Sequence, residues 1–330
     1  MNMPKLQPAV MTLPYRLIAG DQEGYIDISQ SASLANRRFY RQGLQWAVGG
    51  MTVITDSDVK DRILIEKLPE TWPFTQAWKY GFRLWRRMIE SAASESEEVI
   101  GPFVDFKIYA DSGHHEARFT SNLLPQTSML GVGIANPNVG EWFPSKYVIP
   151  DNANAGYSTE REIIGIGANY PGVEGGFDAV SLVEGYAANR RLPEIRDPNL
   201  PGDITDASGN DPENWGVALF NEGISQDDAV MTDLQDENNI APYPFENDGI
   251  NEDTQYPGGA NQFPNLQIHD IVDITNTTVG GRSSVRGGLF NCGLIKIYRE
   301  DSDATGKVDL LLHLVPGTHR GYLANPMQEA

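Results

Sequence analysis

Cysteine is almost absent from this sequence. The single Cys292 excludes an intrachain disulfide and a cysteine-rich zinc site, and it reads as a small apolar filler in a strand. Long apolar runs are missing too. None approaches the roughly 20 residues of a membrane span, so no membrane partner is expected. The opening MNMPKLQPAV lacks a charged-then-apolar signal pattern, which points to a soluble chain made in a reducing compartment.

Histidine is scarce, with five in 330 residues, and the catalytic motifs are missing. There is no GxSxG, phosphate loop, GxGxxG after a strand, HExxH or EF-hand spacing. The one histidine cluster is DSGHHEAR at 111–118. Adjacent side chains on a regular strand face opposite ways, so His114 and His115 would share a metal only from a loop, joined by Asp111 or Glu116. His313 alternates within an apolar run and is expected as a hydrogen-bonded interior residue. No catalytic residue is assigned, and the chain is not expected to be an enzyme.

Positive charge is missing over one long stretch. Between Arg196 and Arg282 there is no Lys or Arg but there are seventeen Asp and Glu, and these supply most of the net charge of −20. Such sorting points to one surface that avoids anions. Residues 197–264 within it are rich in Pro, Asn and Gly with weak periodicity. A structureless loop of that length is unusual inside a compact domain, so the stretch reads as an acidic surface insertion in a single domain spanning 1–330. A short helix over 211–223 is expected within it. DITDASGND and NDGINED offer hard oxygen ligands in flexible loops, which makes Asp203, Asp206 and Asp211 candidates for a structural calcium ion.

What is present in quantity is Gly (33) and Pro (21), punctuating short apolar runs. That spacing predicts an all-β sandwich or barrel. Strand candidates are 24–29, 44–55 with a bulge at Gly49-Gly50, 62–68, 103–111, 128–135, 162–170, 265–275, 292–300 and 307–315, the last two joined as a hairpin by DSDATG. One amphipathic helix interrupts them. Phe74, Trp78, Phe82, Trp85, Ile89 and Ala92 form an apolar face, and Thr71 or Thr75 could cap its start. Lys79, Arg83 and Arg86 share another face, which is either solvated, with Arg86 paired to Glu90, or turned toward a polyanion. LANRRFYRQG at 34–43 sets Arg37, Arg38 and Arg41 beside Phe39 and Tyr40. Arginines with interleaved aromatics pair phosphates and stack bases without reading sequence, though ordinary ion pairs account for them as well.

The segments GYIDISQSASLANRRFYRQGLQWAV, KLPETWPFTQAWKYGFRLWRRM, FVDFKIYADSGHH and LQIHDIVDIT…CGLIKI…LLLHLVPGTHRGYLANPM resemble capsid proteins of environmental, circovirus-like, circular single-stranded DNA viruses. The resemblance implies an eight-stranded antiparallel jelly roll with the helix and long loop insertions added to it. It also implies a virion in which many copies of the chain enclose single-stranded DNA in an icosahedral shell, and a host receptor that nothing in the sequence identifies. The family's arginine-rich N-terminal arm has no counterpart in MNMPKLQPAV, which carries a single Lys5. Arg37, Arg38 and Arg41 are then the expected inner-surface contacts, with Lys79, Arg83 and Arg86 behind them. Two other readings stand beside this one: a calcium-dependent β-sandwich carbohydrate-binding module, and a glycoside hydrolase using two loop carboxylates.

Overall fold

The computed structural model describes residues 8–17, 23–55, 61–92, 105–126, 138–150, 158–170, 178–189, 265–275, 281–300 and 307–330. The acidic insertion at 197–264, the helix expected at 211–223, the strand expected at 128–135, the DSDATG loop, and Asp203, Asp206 and Asp211 lie outside these residues. The chain falls into two compact units. The first comprises Met1–Glu70, Ala117–Phe143 and Leu266–Ala330, and the second Thr71–Glu116 and Pro144–Asn265.

Two sheets build the first unit. One runs in the order β1 (Thr12–Leu17), β11 (Val308–Leu314), β3 (Leu44–Thr55), with β9 (Arg282–Phe290) and β14 (Ala324–Pro326) also paired to β3. The other runs β2 (Glu23–Asp27), β10 (Leu294–Arg299), β4 (Asp61–Lys67), β8 (Gln267–Ile274). All these pairings are antiparallel. Inward residues from both sheets merge into one core: Leu13, Trp46, Met51, Phe290 and Leu312 from the first, Ile26, Ile65, Val272 and Ile297 from the second.

Alternation along β3 changes phase at the expected glycine pair. Trp46 and Val48 point inward before it, and Met51 and Val53 after it. The opposing β11 slips register there, between His313 and Leu314. An extra residue in one strand does this, so Gly49-Gly50 is a bulge. On the other side of β3 the chain comes closer still. A Cβ on Gly287 would lie 2.5 Å from Val48 O and 2.6 Å from Gly49 O, so β9 can pass the bulge only with glycine there.

Side chains and loops cover the outer edges of the sandwich, which open strands would leave unpaired. At one edge the Leu123 amide donates to Tyr25 O of β2 and the Gln126 amide to Pro14 O of β1, both at 2.7 Å. At the other, Asp270 of β8 accepts from the Arg286 amide of β9 (3.1 Å), and His269 Nε2 donates to Arg286 O (2.8 Å). Inside, Arg299 of β10 and Asp61 of β4 form an ion pair at 2.6 Å, with side chains 1% and 0% exposed.

The second unit is mixed. Its sheet pairs β5 (Lys146–Pro150) antiparallel with β6 (Ser158–Ile164), and β6 parallel with β7 (Ala179–Ser181). The expected helix is α2 (Trp72–Ala92). Phe74, Trp78 and Trp85 are buried, and Phe106 packs on Trp78, Phe82 and Trp85 with ring centroids at 5.7, 5.8 and 5.4 Å. Neither threonine caps it. Thr71 Oγ1 is buried with no hydrogen bond among the described residues, and Thr75 lies within the first turn, its Oγ1 donating to Thr71 O.

Several expectations need correction. Apart from the helix expected over 211–223, which lies outside the described residues, one helix was expected; the described residues hold four, adding α1 (Ile28–Asn36), α3 (Ser112–Ala117) and α4 (Leu182–Asn189). Residues 105–111 form no strand. They run extended and buried, with the Tyr109 amide donating to Ile163 O (2.9 Å), and the chain then turns into α3. β10 and β11 are not a hairpin, because they belong to different sheets. Cys292 is buried, but in a 3-10 turn at φ +55° that carries the chain from β9 to β10, not in a strand.

Candidate nucleic-acid interface

The Arg37–Arg41 cluster is positioned by the helix before it. Asp27 ends β2 and caps α1, its carboxylate accepting from the Ser29 amide (2.9 Å) and the Gln30 amide (3.2 Å). Asn36 and Arg37 end α1, with Arg37 in the left-handed region at φ +53°. Glycine usually takes that position because it has no Cβ to clash. Here the Arg37 and Arg38 amides both donate to Ser33 O, which closes the helix and leaves two guanidinium groups at its C-terminus. The negative end of the helix dipole favours cations there, so part of their role is structural.

The connection onward to β3 is anchored at one aromatic. Tyr40 is buried between Trp46 and Tyr322, with ring centroids at 5.8 and 5.5 Å, and its hydroxyl donates to Arg320 O (3.0 Å). Tyr40 therefore belongs to the core and cannot stack on a base, contrary to the expectation from sequence. Phe39 is half-buried against Trp142, centroids 6.2 Å apart. Arg37, Arg38 and Arg41 are all exposed, so their guanidinium groups are accessible, whereas the buried Tyr40 is not.

Sequence spacing missed a fourth arginine. Arg320 follows β12 (Pro316–Gly317), precedes β13 (Gly321–Tyr322), and holds φ +51°. Its guanidinium donates to Phe39 O, which joins this turn to the α1–β3 connection 281 positions away in sequence. His319 beside it is half-buried, and its imidazole pKa is lowered by burial and then by the charges of Arg320 and Arg41. Burial raises the Tyr40 phenol pKa, with Arg38 and Arg320 opposing. Burial raises that of Tyr322 as well, with the Asn36 amide and Arg38 opposing. Neither Arg37, Arg41 nor Arg320 has a carboxylate partner among the described residues. Such a cluster of cations backed by a rigid aromatic core suits an extended polyanion.

The second basic group lies on α2. Arg83 and Arg86 are exposed and Lys79 is half-buried. Arg86 pairs with Glu90 at 2.7 Å, as the i,i+4 spacing predicts, and Arg83 Nε donates to Lys79 O (3.3 Å). That pairing favours the solvated-face reading for Arg86.

His114, His115 and His313 have structural partners. His114 and His115 sit on α3, both buried, and turn to different partners. His114 Nδ1 accepts from the Ala110 amide (3.0 Å), and His115 Nε2 meets Glu162 at 2.7 Å. They do not converge on one metal with Asp111 or Glu116; Asp111 instead accepts from the His114 amide (2.8 Å). His313 bridges Thr12 Oγ1 (3.2 Å) and Thr52 Oγ1 (3.0 Å), hydrogen-bonded as expected but half-buried on the face away from the core. Among the described residues no three His, Cys, Asp or Glu side chains gather to hold a metal, and no helix is long and apolar enough to cross a membrane.

Comparison with known proteins gives no matching family model, no matching curated protein and no matching solved structure.

Proposed function

We propose that the chain is the structural subunit of a viral capsid, its first unit a jelly roll, and that copies of it assemble into an icosahedral shell around single-stranded DNA. The observation that carries the reading is the pairing of the eight main strands of the first unit. Taken in chain order, the first pairs with the eighth (β1 with β11), the second with the seventh (β2 with β10), the third with the sixth (β3 with β9) and the fourth with the fifth (β4 with β8). Those four pairs describe one long antiparallel ribbon. Rolled so that alternate pairs fall in opposite sheets, the ribbon gives the two observed strand orders, and this agreement supports a jelly-roll winding.

Jelly rolls serve capsids, lectins and other proteins, so the winding supports a fold and not yet a role. Two further observations favour the capsid. The segments that resemble circovirus-like coat proteins include all or part of five of the ribbon's eight strands, β2, β3, β8, β10 and β11, together with α1. The arginine cluster beside α1 also supplies the cationic surface that an enclosed polyanion requires, in a chain whose net charge is −20. Copies so charged repel one another, so assembly should be promoted by salt or divalent cations. Electron microscopy of the purified full chain tests the proposal. Closed shells that form more readily at higher ionic strength are expected. A chain that remains a monomer or small oligomer across salt, calcium and added oligonucleotide refutes it.

A further inference from the structure

Two segments far apart in sequence share the basic cluster: the α1–β3 connection and the turn Thr318–Arg320. They are tied by two hydrogen bonds, Arg320 guanidinium to Phe39 O and Tyr40 hydroxyl to Arg320 O (3.0 Å). The turn is held in itself by the His319 amide on Tyr322 O (2.9 Å) and the Tyr322 amide on His319 O (3.0 Å). His319 is thus held half-buried on a fixed turn, near cations. Arg320 lies on its own turn, Arg41 acts on it from the connection before β3, and Arg38 from the same connection acts on Tyr40 and Tyr322. No carboxylate is among the groups acting on His319. Arg320 and the following Gly321 both hold positive φ, at +51° and +106°, a backbone that disfavours arginine unless the surroundings enforce it.

We propose that Arg38, Arg41, His319 and Arg320 form one binding site for the phosphates of a single-stranded polynucleotide, and that occupancy of this site is coupled to uptake of a proton by His319. The inference rests on the capsid reading for the identity of the polyanion, and it adds the second half of the site and its regulation. With the site empty, a proton on His319 is opposed by burial and by two neighbouring guanidinium groups. A phosphate lodged between those groups reverses the sign of the local field and favours the imidazolium. Linkage then requires that binding strengthen as pH falls through the histidine range. The chain should grip nucleic acid in mildly acidic surroundings and loosen its hold toward neutral pH.

The test is fluorescence anisotropy of a labelled oligothymidylate titrated with the full chain at fixed ionic strength, at about pH 7.5 and about pH 5.5. Affinity is expected to rise roughly three- to tenfold at the lower pH, the range given by a half-unit to one-unit rise of a single pKa. His319→Gln should abolish the increment between the two pH values, whatever its effect on the neutral-pH affinity, whereas Arg320→Gln should weaken binding at both pH values and keep the increment. Calorimetry of the unmodified chain in two buffers of different ionisation enthalpy should show net proton uptake on binding, a readout independent of whether any variant folds. Binding that is indifferent to pH and takes up no proton overturns this inference and leaves the capsid reading intact. An increment that survives His319→Gln also overturns it, since another group is then titrating. Failure to bind at either pH overturns both the site and the nucleic-acid part of the proposed function.

Discussion

Replacing Asp27 by alanine should do more damage than any other single carboxylate change at the joint between β2 and α1. The side chain is 0% exposed and all its bonds are made. One oxygen takes the Ser29 and Gln30 amides; the other takes Gln42 Nε2 (2.9 Å) and Trp142 Nε1 (3.0 Å). Loss of the cap costs about 1 kcal/mol. The two buried side-chain donors left without an acceptor cost about 1–3 kcal/mol each. The expected destabilisation is about 3–7 kcal/mol, a large part of the roughly 5–15 kcal/mol that holds a domain together. Asp27→Asn separates the terms. Its amide oxygen can still cap the helix, and Gln42 can turn its own amide to present an oxygen, but the Trp142 indole can only donate, so about 1–3 kcal/mol should be lost. Asp273→Ala is the control. Asp273 pairs with Arg62 at 2.6 Å, both more than half exposed, and its loss should cost about 0–1 kcal/mol. Urea unfolding followed by tryptophan fluorescence measures all three. The reasoning fails if Asp27→Ala lies within about 1 kcal/mol of the parent, or if Asn proves as costly as Ala. Because α1 delivers Arg37 and Arg38, Asp27→Ala should also weaken oligonucleotide binding at temperatures where the protein remains folded.

Three shorter predictions accompany this one. Gly287→Val should destabilise by about 3 kcal/mol or more, since the new Cβ meets backbone oxygens that cannot move without breaking the β3–β9 ladder; thermal melting reads it. The Asp270 carboxyl pKa is lowered although burial works to raise it, because the Arg286 amide and guanidinium donate to the carboxylate. A lowered acid pKa contributes stability above its unfolded value near 3.8 and loses it as pH falls through the folded value, so Asp270→Asn should flatten the acid limb of the stability curve below about pH 4. Replacing Arg37, Arg38 and Arg41 together by Gln should shallow the log–log salt dependence of single-strand binding by about 2, since each phosphate contact contributes about 0.7.

The strands with period-two patterning were legible from sequence. β3 was read at both ends, the glycine bulge within it was expected, and β4, β8 and β11 each fall within a residue or two of the expected bounds. Strands whose pattern is diluted by polar or small residues were not. β9 reads RSSVRGGLF, in which small residues serve the close passage beside the bulge and mask the alternation. Residues 103–111 failed for the opposite reason: they alternate well, yet their described part, 105–111, leads into a helix capped by Asp111. Half of the basic site was readable because Arg37, Arg38 and Arg41 are neighbours in sequence. Arg320 was not, since only the fold brings it to Phe39, and no local pattern announces a pairing across most of the chain.

The acidic stretch shows how far sequence proximity can mislead about charge. Two of its seventeen acids lie among the described residues, Asp270 and Asp273, both on β8. Each has an arginine beside it, Arg286 from β9 and Arg62 from β4. Both of those bases lie outside the Arg196–Arg282 interval, so the absence of Lys and Arg within it does not mean that its acids lack cations. At β8 the antiparallel ribbon imports positive charge from neighbouring strands and uses it to seal a sheet edge. The excess that demands explanation is therefore smaller than the linear count, and it belongs to the fifteen acids of 197–264, which lie outside the described residues.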